Sequence, residues 1–362
     1  MDKKDQHLIA AARRRGRGAV SNRAGRFEGL AHLPQDDGWD MGEELPRLVT
    51  ETRAEQAKSL ITYNKSPDLP FDRSINPYRG CEHGCIYCFA RPSHAWLGMS
   101  AGLDFETRLI ARPNAPEVLA RELRHRNYRV ATIAIGTNTD PYQPIERAHE
   151  ITRNCLKVLR DFRHPVAVVT KGTLIERDID ILADMARDGL VRVGISITTL
   201  DAGISRAMEP RVPSPRRRLA TIRRLAEAGI EVRIMVSPVV PGLTDPEIEA
   251  LVAAGAEAGA SAASWIMLRL PREVSPLFQE WLAEHFPNRA AKVMARVREM
   301  HGGQDYDARW MHRMRGEGIY AALIARRFQR VIAAHGLNET LPELPVGLFR
   351  PPVRAGDQMS LF

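Results

Sequence analysis

Three cysteines, Cys81, Cys85 and Cys88, lie within eight residues of this chain in the spacing Cys-x₃-Cys-x₂-Cys. The fourth cysteine, Cys155, stands alone in a segment expected to be helical, where a buried free thiol is the common case. Three thiolates on one short loop form an incomplete ligand set, because a four-coordinate centre held by them keeps one position open. The spacing therefore predicts a metal centre with room for a substrate or small ligand.

Two kinds of centre fit this loop. One is a [4Fe–4S] cluster on the three cysteines, with its fourth iron left to another ligand. The other is a structural zinc site completed by His83 or His94. Structural zinc usually joins two Cys-x₂-Cys knuckles from separate segments, and this sequence has only one. The spacing therefore favours the iron–sulfur cluster.

Composition limits the class of protein. The chain has 362 residues and is 44% hydrophobic, enough for one domain of barrel size with appendages. Four cysteines, three of them clustered, indicate an intracellular ligand set and not a disulfide framework. No apolar run reaches the ~18 residues that a membrane span needs, and the first residues lack the apolar core of a signal peptide. We expect a soluble, cytoplasmic protein without a membrane partner.

The chain is basic, with a net charge of +8. This charge favours a polyanionic partner such as DNA. A general preference for arginine over lysine would give the same surface without any nucleic acid. Both interpretations stay open at this point.

Strands and helices alternate after residue 130. Apolar strands are expected at residues 130–136, 166–171, 191–199, 232–240 and 264–270, with amphipathic segments between them. With the strand before Cys81, this gives six βα units. The pattern predicts an α/β fold with a parallel sheet, a partial (β/α)6 TIM-type barrel with an N-terminal extension and C-terminal helices.

The domain organisation follows from the same pattern. Residues 1–65 are expected to form a basic, partly disordered N-terminal extension, and residues 66–275 the barrel. Residues 276–340 should form a C-terminal helical region that closes the open side of the barrel. Residues 341–362, rich in proline and glycine, should be a flexible tail.

With Tyr87 as its aromatic residue, the motif Cys-x₃-Cys-x-aromatic-Cys resembles the signature of the radical S-adenosylmethionine (radical SAM) superfamily. Residues 76–81, 136–146 and 169–171 resemble the spore photoproduct lyase group within it. The resemblance covers about residues 70–275. It implies an enzyme in which a [4Fe–4S] cluster, reduced by a donor such as flavodoxin or ferredoxin, cleaves SAM to methionine and a 5′-deoxyadenosyl radical that takes hydrogen from a substrate.

The resemblance also implies site residues. The loop from Gly136 stands where the superfamily contacts the methionine end of SAM, although the usual Gly-Gly-Glu is absent. Gly242 matches the superfamily's glycine turn near the adenine of SAM, and Lys171 and Ser196 match SAM-binding positions of the lyase group. For the glycines, turn geometry is the alternative explanation. The implied SAM-binding residues are Thr139, Asp140, Lys171, Ser196 and Gly242, and Tyr87 is a candidate catalytic residue.

Two positions depart from the lyase pattern. Thr137 stands where the lyase has its hydrogen-donating cysteine, and Phe89 stands where it has a tyrosine. We therefore expect a related radical SAM reaction on nucleic acid, of the kind used in DNA repair. The first alternative is modification of a peptide, tRNA or small molecule. The second is a non-catalytic, zinc-stabilised nucleic-acid-binding protein.

The end of the sequence carries a separate motif. The peptide from Gln358 to Phe362 resembles the bacterial sliding-clamp-binding peptide. Burial of each of its three apolar side chains in a pocket would contribute about 1.5–3 kcal/mol to binding. The motif predicts a sliding-clamp partner, and the alternatives are a tail folded on its own barrel or a chance match.

Overall fold

The computed structural model describes residues 8–27 and 47–353. In chain order, the strands of this part are β1 (Glu51–Ala54), β2 (Ile61–Tyr63), β3 (Arg73–Ile75), β4 (Tyr78–Arg79), β5 (Arg108–Ala111), β6 (Ile133–Ile135), β7 (Val166–Thr170), β8 (Val191–Ser196), β9 (Glu231–Val239) and β10 (Ala262–Met267). The α-helices are α1 (Asp104–Thr107), α2 (Ala115–Leu123), α3 (Glu146–His149), α4 (Ile151–Asp161), α5 (Ile179–Arg187), α6 (Ala202–Met208), α7 (Pro215–Glu227), α8 (Ile248–Glu257), α9 (Val274–His285), α10 (Pro287–Met300) and α11 (Gly318–Ala334).

A seven-stranded sheet forms the centre of the molecule, in the order β10-β9-β8-β7-β6-β3-β2. Strands β3 and β6 to β10 are parallel, and β2 is antiparallel to β3 at one edge. Helices connect the parallel strands, as parallel pairing requires. Six parallel strands in chain order confirm the expected partial (β/α)6 barrel.

The local sequence explains these elements. Strand β8 is almost entirely buried, and β7 is rich in valine, as expected for strands covered on both faces. Helix α7 begins where the Ser214 hydroxyl accepts a hydrogen bond from the Arg217 amide, with Pro215 in the first turn. The element types were therefore predictable, and their ends differ from the expected ends by a few residues.

The segment before the cysteines differs from the expected single strand. Strand β3 ends at Ile75, and β4 begins at Tyr78 in another sheet. Pro77 lacks the amide hydrogen that a continuous ladder needs, which accounts for the break. The second sheet, of order β1-β5-β4, was not predicted.

The predicted N-terminal extension is partly built into the domain. Strand β2, within residues 1–65, pairs with β3, so part of the predicted extension belongs to the barrel sheet. The predicted tail is also anchored, because the Phe349 ring lies 5.7 Å from that of Tyr128 and 5.4 Å from that of His164. The peptide from Gln358 to Phe362 lies outside the described residues.

A segment without helix, residues 301–317, contacts both edges of the barrel sheet and lies within the predicted C-terminal region 276–340. Met314 of this segment accepts a hydrogen bond from the Met267 amide of β10. Arg313 forms two hydrogen bonds of 2.7 and 2.6 Å with the carboxylate of Asp68, which follows β2. The segment therefore links the two edge strands of the sheet. No helix in the described part of the chain is long and apolar enough to cross a membrane.

Candidate active site

The three clustered cysteines line one cavity of about 200 Å³ at the carboxyl ends of the parallel strands. All three are free thiols, and Cys81 and Cys85 are buried. The Cys81 amide donates to the Phe105 carbonyl at 2.9 Å, and the Cys88 amide donates to the Cys85 carbonyl at 3.2 Å. Burial raises the pKa of all three thiols, so a metal centre that binds them has to displace their protons.

A buried ion pair holds this loop in shape. The Arg91 guanidinium donates to the carbonyls of Cys85 and Gly84 at 3.0 and 3.1 Å. It also meets the Glu106 carboxylate at 2.5 Å, and both side chains are fully buried. Paired burial satisfies both charges, whereas the loss of either partner would leave an isolated buried charge. The Arg91–Glu106 pair therefore fixes the backbone of the cysteine loop.

The N-terminal segment completes this support. The amides of Gly18 and Ala19 both donate to the Glu106 carboxylate at 2.8 Å. A Cβ atom added to Gly18 would lie 1.9 Å from the Gly84 carbonyl oxygen, so only glycine fits against the cysteine loop. The N-terminal segment was expected to be an arm, yet residues 17–19 form part of the structure that positions the cysteines.

A second buried network lies beneath the cavity and centres on Glu209. This carboxylate contacts Lys171 Nζ at 3.2 Å and Arg218 Nη2 at 2.8 Å, and it accepts hydrogen bonds from the hydroxyls of Tyr87 and Thr198. Burial alone would raise the pKa of Glu209, but Arg218 and Lys171 outweigh burial and bring the pKa to about 2. Glu209 is therefore a fixed negative charge that links the cysteine loop to the strand ends.

Lys171 and Ser196, two of the implied SAM-binding residues, are brought together on the cavity wall. The Lys171 ammonium donates to the Ser196 hydroxyl at 2.5 Å and to the Ser237 carbonyl at 3.2 Å. Ser237 also lines the cavity, and its hydroxyl oxygen is buried without a hydrogen-bond partner among the described residues. A buried hydroxyl without a partner suits a polar ligand.

Thr139 and Asp140 also line the cavity, but protein groups engage their side chains. The Thr139 hydroxyl donates to the Tyr78 carbonyl at 3.2 Å. The Asp140 carboxylate accepts from the Thr170 hydroxyl at 2.6 Å and the Lys171 amide at 2.7 Å. Burial would raise the pKa of Asp140, but His83 and these donors outweigh burial and lower it. The side chains of both residues form hydrogen bonds that connect neighbouring strand ends. Contact of either residue with SAM stays a prediction.

The predicted roles of Gly242 in SAM binding and of Tyr87 in catalysis stay predictions. Gly242 is not among the residues that line the cavity; its amide donates to Asp245, and its φ of +76° explains the glycine as a turn residue. Tyr87 lines the cavity, but its hydroxyl donates to Glu209, and burial raises its pKa well above the usual range. Its phenol therefore stays protonated, and a catalytic role stays a prediction.

Glu209, Ser237 and Arg91 were missed from the sequence as site residues. Glu209 directly follows α6, and no local pattern distinguishes it from a surface glutamate. Ser237 lies within the expected strand 232–240, where no motif marks it as a site residue. Residue spacing could not identify the two buried networks, because their members come from separate parts of the chain.

The zinc alternative named His83 or His94 as a fourth ligand. The His94 ring is hydrogen-bonded to the Arg108 carbonyl at 2.9 Å, and His83 Nδ1 lies 3.3 Å from Asp140. The Nδ1 atom of His94 is buried without a hydrogen-bond partner among the described residues.

Comparisons with known proteins agree with this geometry. Residues 75–254 match the family model of the radical SAM superfamily. An uncharacterized protein of Mycobacterium tuberculosis is 36% identical over 282 residues, which cover 74% of this chain and 82% of that protein. An uncharacterized protein of Methanocaldococcus jannaschii is 29% identical over 192 residues, covering 53% of this chain and 69% of that protein.

Among solved structures, a mutant of spore photoproduct lyase matches with a TM-score of 0.56 at 16% identity, covering 79% of this chain and 80% of that chain. Spore photoproduct lyase complexed with dinucleoside spore photoproduct matches equally well, at 15% identity. At this identity the likeness shows the fold. The chain belongs to the radical SAM superfamily and is a radical SAM enzyme with a [4Fe–4S] cluster and SAM as cofactors.

The residues present fit these cofactors. Three free thiols line the cavity, as a cluster with one open iron requires. Lys171 and Ser237 line the same cavity, and an ammonium group together with a hydroxyl that has no partner among the described residues suits the carboxylate and other polar groups of SAM.

Proposed function

We propose that this radical SAM enzyme acts on nucleic acid, DNA in particular, in a reaction of the DNA-repair type. The observation that carries this proposal is the cavity mouth, where Arg269 and Arg272 lie beside the cysteine loop of a chain with a net charge of +8. Arginines at the entrance attract a phosphate backbone to the reaction site. When bound, the cluster and SAM supply a 5′-deoxyadenosyl radical that can abstract hydrogen from the substrate.

We assign the chain's own residues distinct tasks in this reaction. Cys81, Cys85 and Cys88 hold the cluster. Lys171, aided by Ser196, binds the carboxylate of SAM as a point charge. Lys171→Met should therefore weaken SAM binding at least tenfold, whereas Lys157→Met, on α4, should not change it. Equal SAM affinity of the two variants in equilibrium dialysis would remove the assignment of Lys171.

The comparison with spore photoproduct lyase supports the substrate class, because that protein is complexed with a dinucleoside photoproduct in one matching structure. The reaction itself should differ. Thr137 lines the cavity at the position that corresponds to the lyase's hydrogen-donating cysteine, and an alcohol O–H bond is too strong to replace a thiol in that step. We therefore propose a lesion or modification other than the spore photoproduct.

An anaerobic assay tests this function. The reconstituted protein is reduced with dithionite and given SAM together with damaged DNA, undamaged DNA, tRNA or a peptide mixture. We expect DNA to raise the yield of 5′-deoxyadenosine and to change in mass. Stimulation by tRNA or peptide without any effect of DNA would instead support the alternative substrates.

Two protein partners belong to the proposal. Reduction of the cluster requires an electron donor, and flavodoxin or ferredoxin fits this requirement. The peptide from Gln358 to Phe362 would bring the enzyme to a bacterial sliding clamp. We expect the full chain to bind purified clamp and a chain lacking these five residues to lose this binding. Equal binding by both would remove the clamp from the proposal.

A further inference from the structure

An exposed group of aromatic rings and arginines lies at the entrance to the cysteine cavity. Its rings are exposed to an unusual degree: 71% of Trp96, 53% of Phe27 and 44% of Phe89. Large aromatic side chains are normally buried, so three exposed rings beside one cavity suggest a binding surface. We call this surface the mouth platform; its members are Phe27, Phe89, Trp96, Arg26, Arg269 and Arg272.

The rings are supported from within the protein. The Trp96 ring lies on that of Phe27, with centroids 4.6 Å apart and an interplanar angle of 35°. The Arg269 guanidinium lies 4.7 Å from the centroid of the Phe89 ring. Because these contacts fix the rings while most of the Trp96 surface stays open, the mouth platform is organised before a ligand arrives.

The arginines of the mouth platform are not all neutralised. Arg26 forms an ion pair with Glu273. Arg272 has no ion-pair partner in the described part of the chain, and Arg269 Nε is buried without a hydrogen-bond partner there. Among the described residues, Arg269 Nη2 donates only to the Tyr306 hydroxyl, at 3.2 Å. Two guanidinium groups are therefore available to an anionic ligand.

Flat open rings next to uncompensated guanidinium groups match the chemistry of unpaired bases on a phosphate backbone. Phe89, Asn138 and Arg269 line both the surface depression and the cysteine cavity, so the two are continuous. We propose that the mouth platform binds single-stranded DNA, with an unpaired base stacked on Trp96 and phosphates on Arg269 and Arg272. This inference rests on the proposed function for its choice of DNA, and it places an unstacked base at the entrance of the reaction cavity.

The test measures binding of a fluorescent 20-nucleotide single strand by anisotropy, with the full chain. Trp96→Ala should weaken binding about tenfold, since base–aromatic stacking contributes about 1–3 kcal/mol per base. The matched control is Trp310→Ala, because Trp310 is also exposed, at 55%, but does not line the entrance. It should bind within twofold of the unchanged protein.

Two further arms separate stacking from charge. A strand of abasic sites should bind the unchanged protein and Trp96→Ala equally, because it has phosphates but no bases. Arg272→Ala should reduce the salt slope of binding by about one. Equal binding of the base-containing strand by the unchanged protein and Trp96→Ala would overturn the mouth platform. Weaker binding of the abasic strand by Trp96→Ala than by the unchanged protein would overturn it as well.

These results are independent of the catalytic assay. DNA binding that depends on Trp96, without stimulation of 5′-deoxyadenosine by DNA, would support the mouth platform and contradict the proposed reaction. Stimulation by DNA together with unchanged binding by Trp96→Ala would contradict the mouth platform alone. Equal thermal melting of the two tryptophan variants would show that both are folded.

Discussion

The Arg218 guanidinium and the Glu209 carboxylate meet at 2.8 Å beneath the cavity, and neither side chain has any exposed surface. Arg218 Nη1 also donates to the Ser196 carbonyl at 2.7 Å, at the end of β8. Glu209 in turn accepts a hydrogen bond from the hydroxyl of Tyr87 in the cysteine loop. This one pair therefore connects the loop that holds the cysteines to the strand that carries Ser196.

The first prediction concerns this pair. Glu209→Gln keeps the size of the side chain but leaves Arg218 and Lys171 without their counter-charge. Breaking a buried pair in this way typically costs about 3–5 kcal/mol. We expect a decrease of that size in the free energy of unfolding, measured by urea denaturation. The control Glu249→Gln removes an ion pair with Arg327 in which 47% of the glutamate side chain is exposed, and should cost at most about 1 kcal/mol. Equal losses for both variants would contradict the role of Glu209.

The second prediction concerns the N-terminal segment. Gly18→Val places carbon atoms where the Gly84 carbonyl lies, so the cysteine loop has to move. We expect a loss of about 1–3 kcal/mol of stability and a lower iron content after reconstitution. Gly347→Val is the control, because in the described part of the chain no atom other than those of its two neighbours lies within 4 Å of its added Cβ. Normal iron content in Gly18→Val would show that this segment does not support the loop.

The third prediction is a pH dependence that comes from His164. Its ring is fully buried between the Tyr128 hydroxyl at 2.7 Å and the Pro165 carbonyl at 2.9 Å, and burial lowers its pKa from 6.5 to about 4. Between these values the unfolded chain binds a proton that the folded chain does not. Above pH 6.5 His164 is neutral in both states and does not lower the free energy of unfolding. As the pH falls from 6.5 toward 4, the free energy of unfolding decreases, because only the unfolded chain takes up the proton.

Urea denaturation at pH 7 and pH 5 measures this effect. Between pH 7 and pH 5 the free energy of unfolding should fall in the unchanged protein. This fall should be about 2 kcal/mol smaller in His164→Phe, which has no imidazole to protonate. His125→Phe, at an exposed position, should keep the unchanged dependence. An equal fall in all three proteins would contradict the account of His164.

Part of this architecture could be read from the sequence because it is encoded locally. The cysteine spacing, the six apolar strands and the helices between them depend on neighbouring residues, and the structure confirms the barrel they predict. The proximity of Lys171 and Ser196 was also predictable, since the carboxyl ends of parallel strands meet at one edge, whereas their SAM-binding role was implied only by the family resemblance. The break at Pro77 was readable in principle, because proline cannot continue a ladder.

The supports of the site could not be read in this way. Glu106 joins Arg91 to Gly18, which precedes it by 88 residues, and Glu209 meets Tyr87 across 122 residues. Such contacts arise only once the chain is folded, and their members look like ordinary surface residues in the sequence. Phe349 likewise anchors a segment whose composition indicates a free tail.

The central claim is that Cys81, Cys85 and Cys88 hold a cluster that cleaves SAM. The most direct measurement is the iron content and 5′-deoxyadenosine yield of anaerobically reconstituted, dithionite-reduced protein and of its cysteine variants. We expect four iron atoms and 5′-deoxyadenosine for the unchanged protein and for Cys155→Ala, whose thiol is buried and whose residue does not line the cavity. Cys85→Ala should lose the product. A protein with four iron atoms that forms no 5′-deoxyadenosine, or a Cys85→Ala variant that still forms it, would contradict the claim.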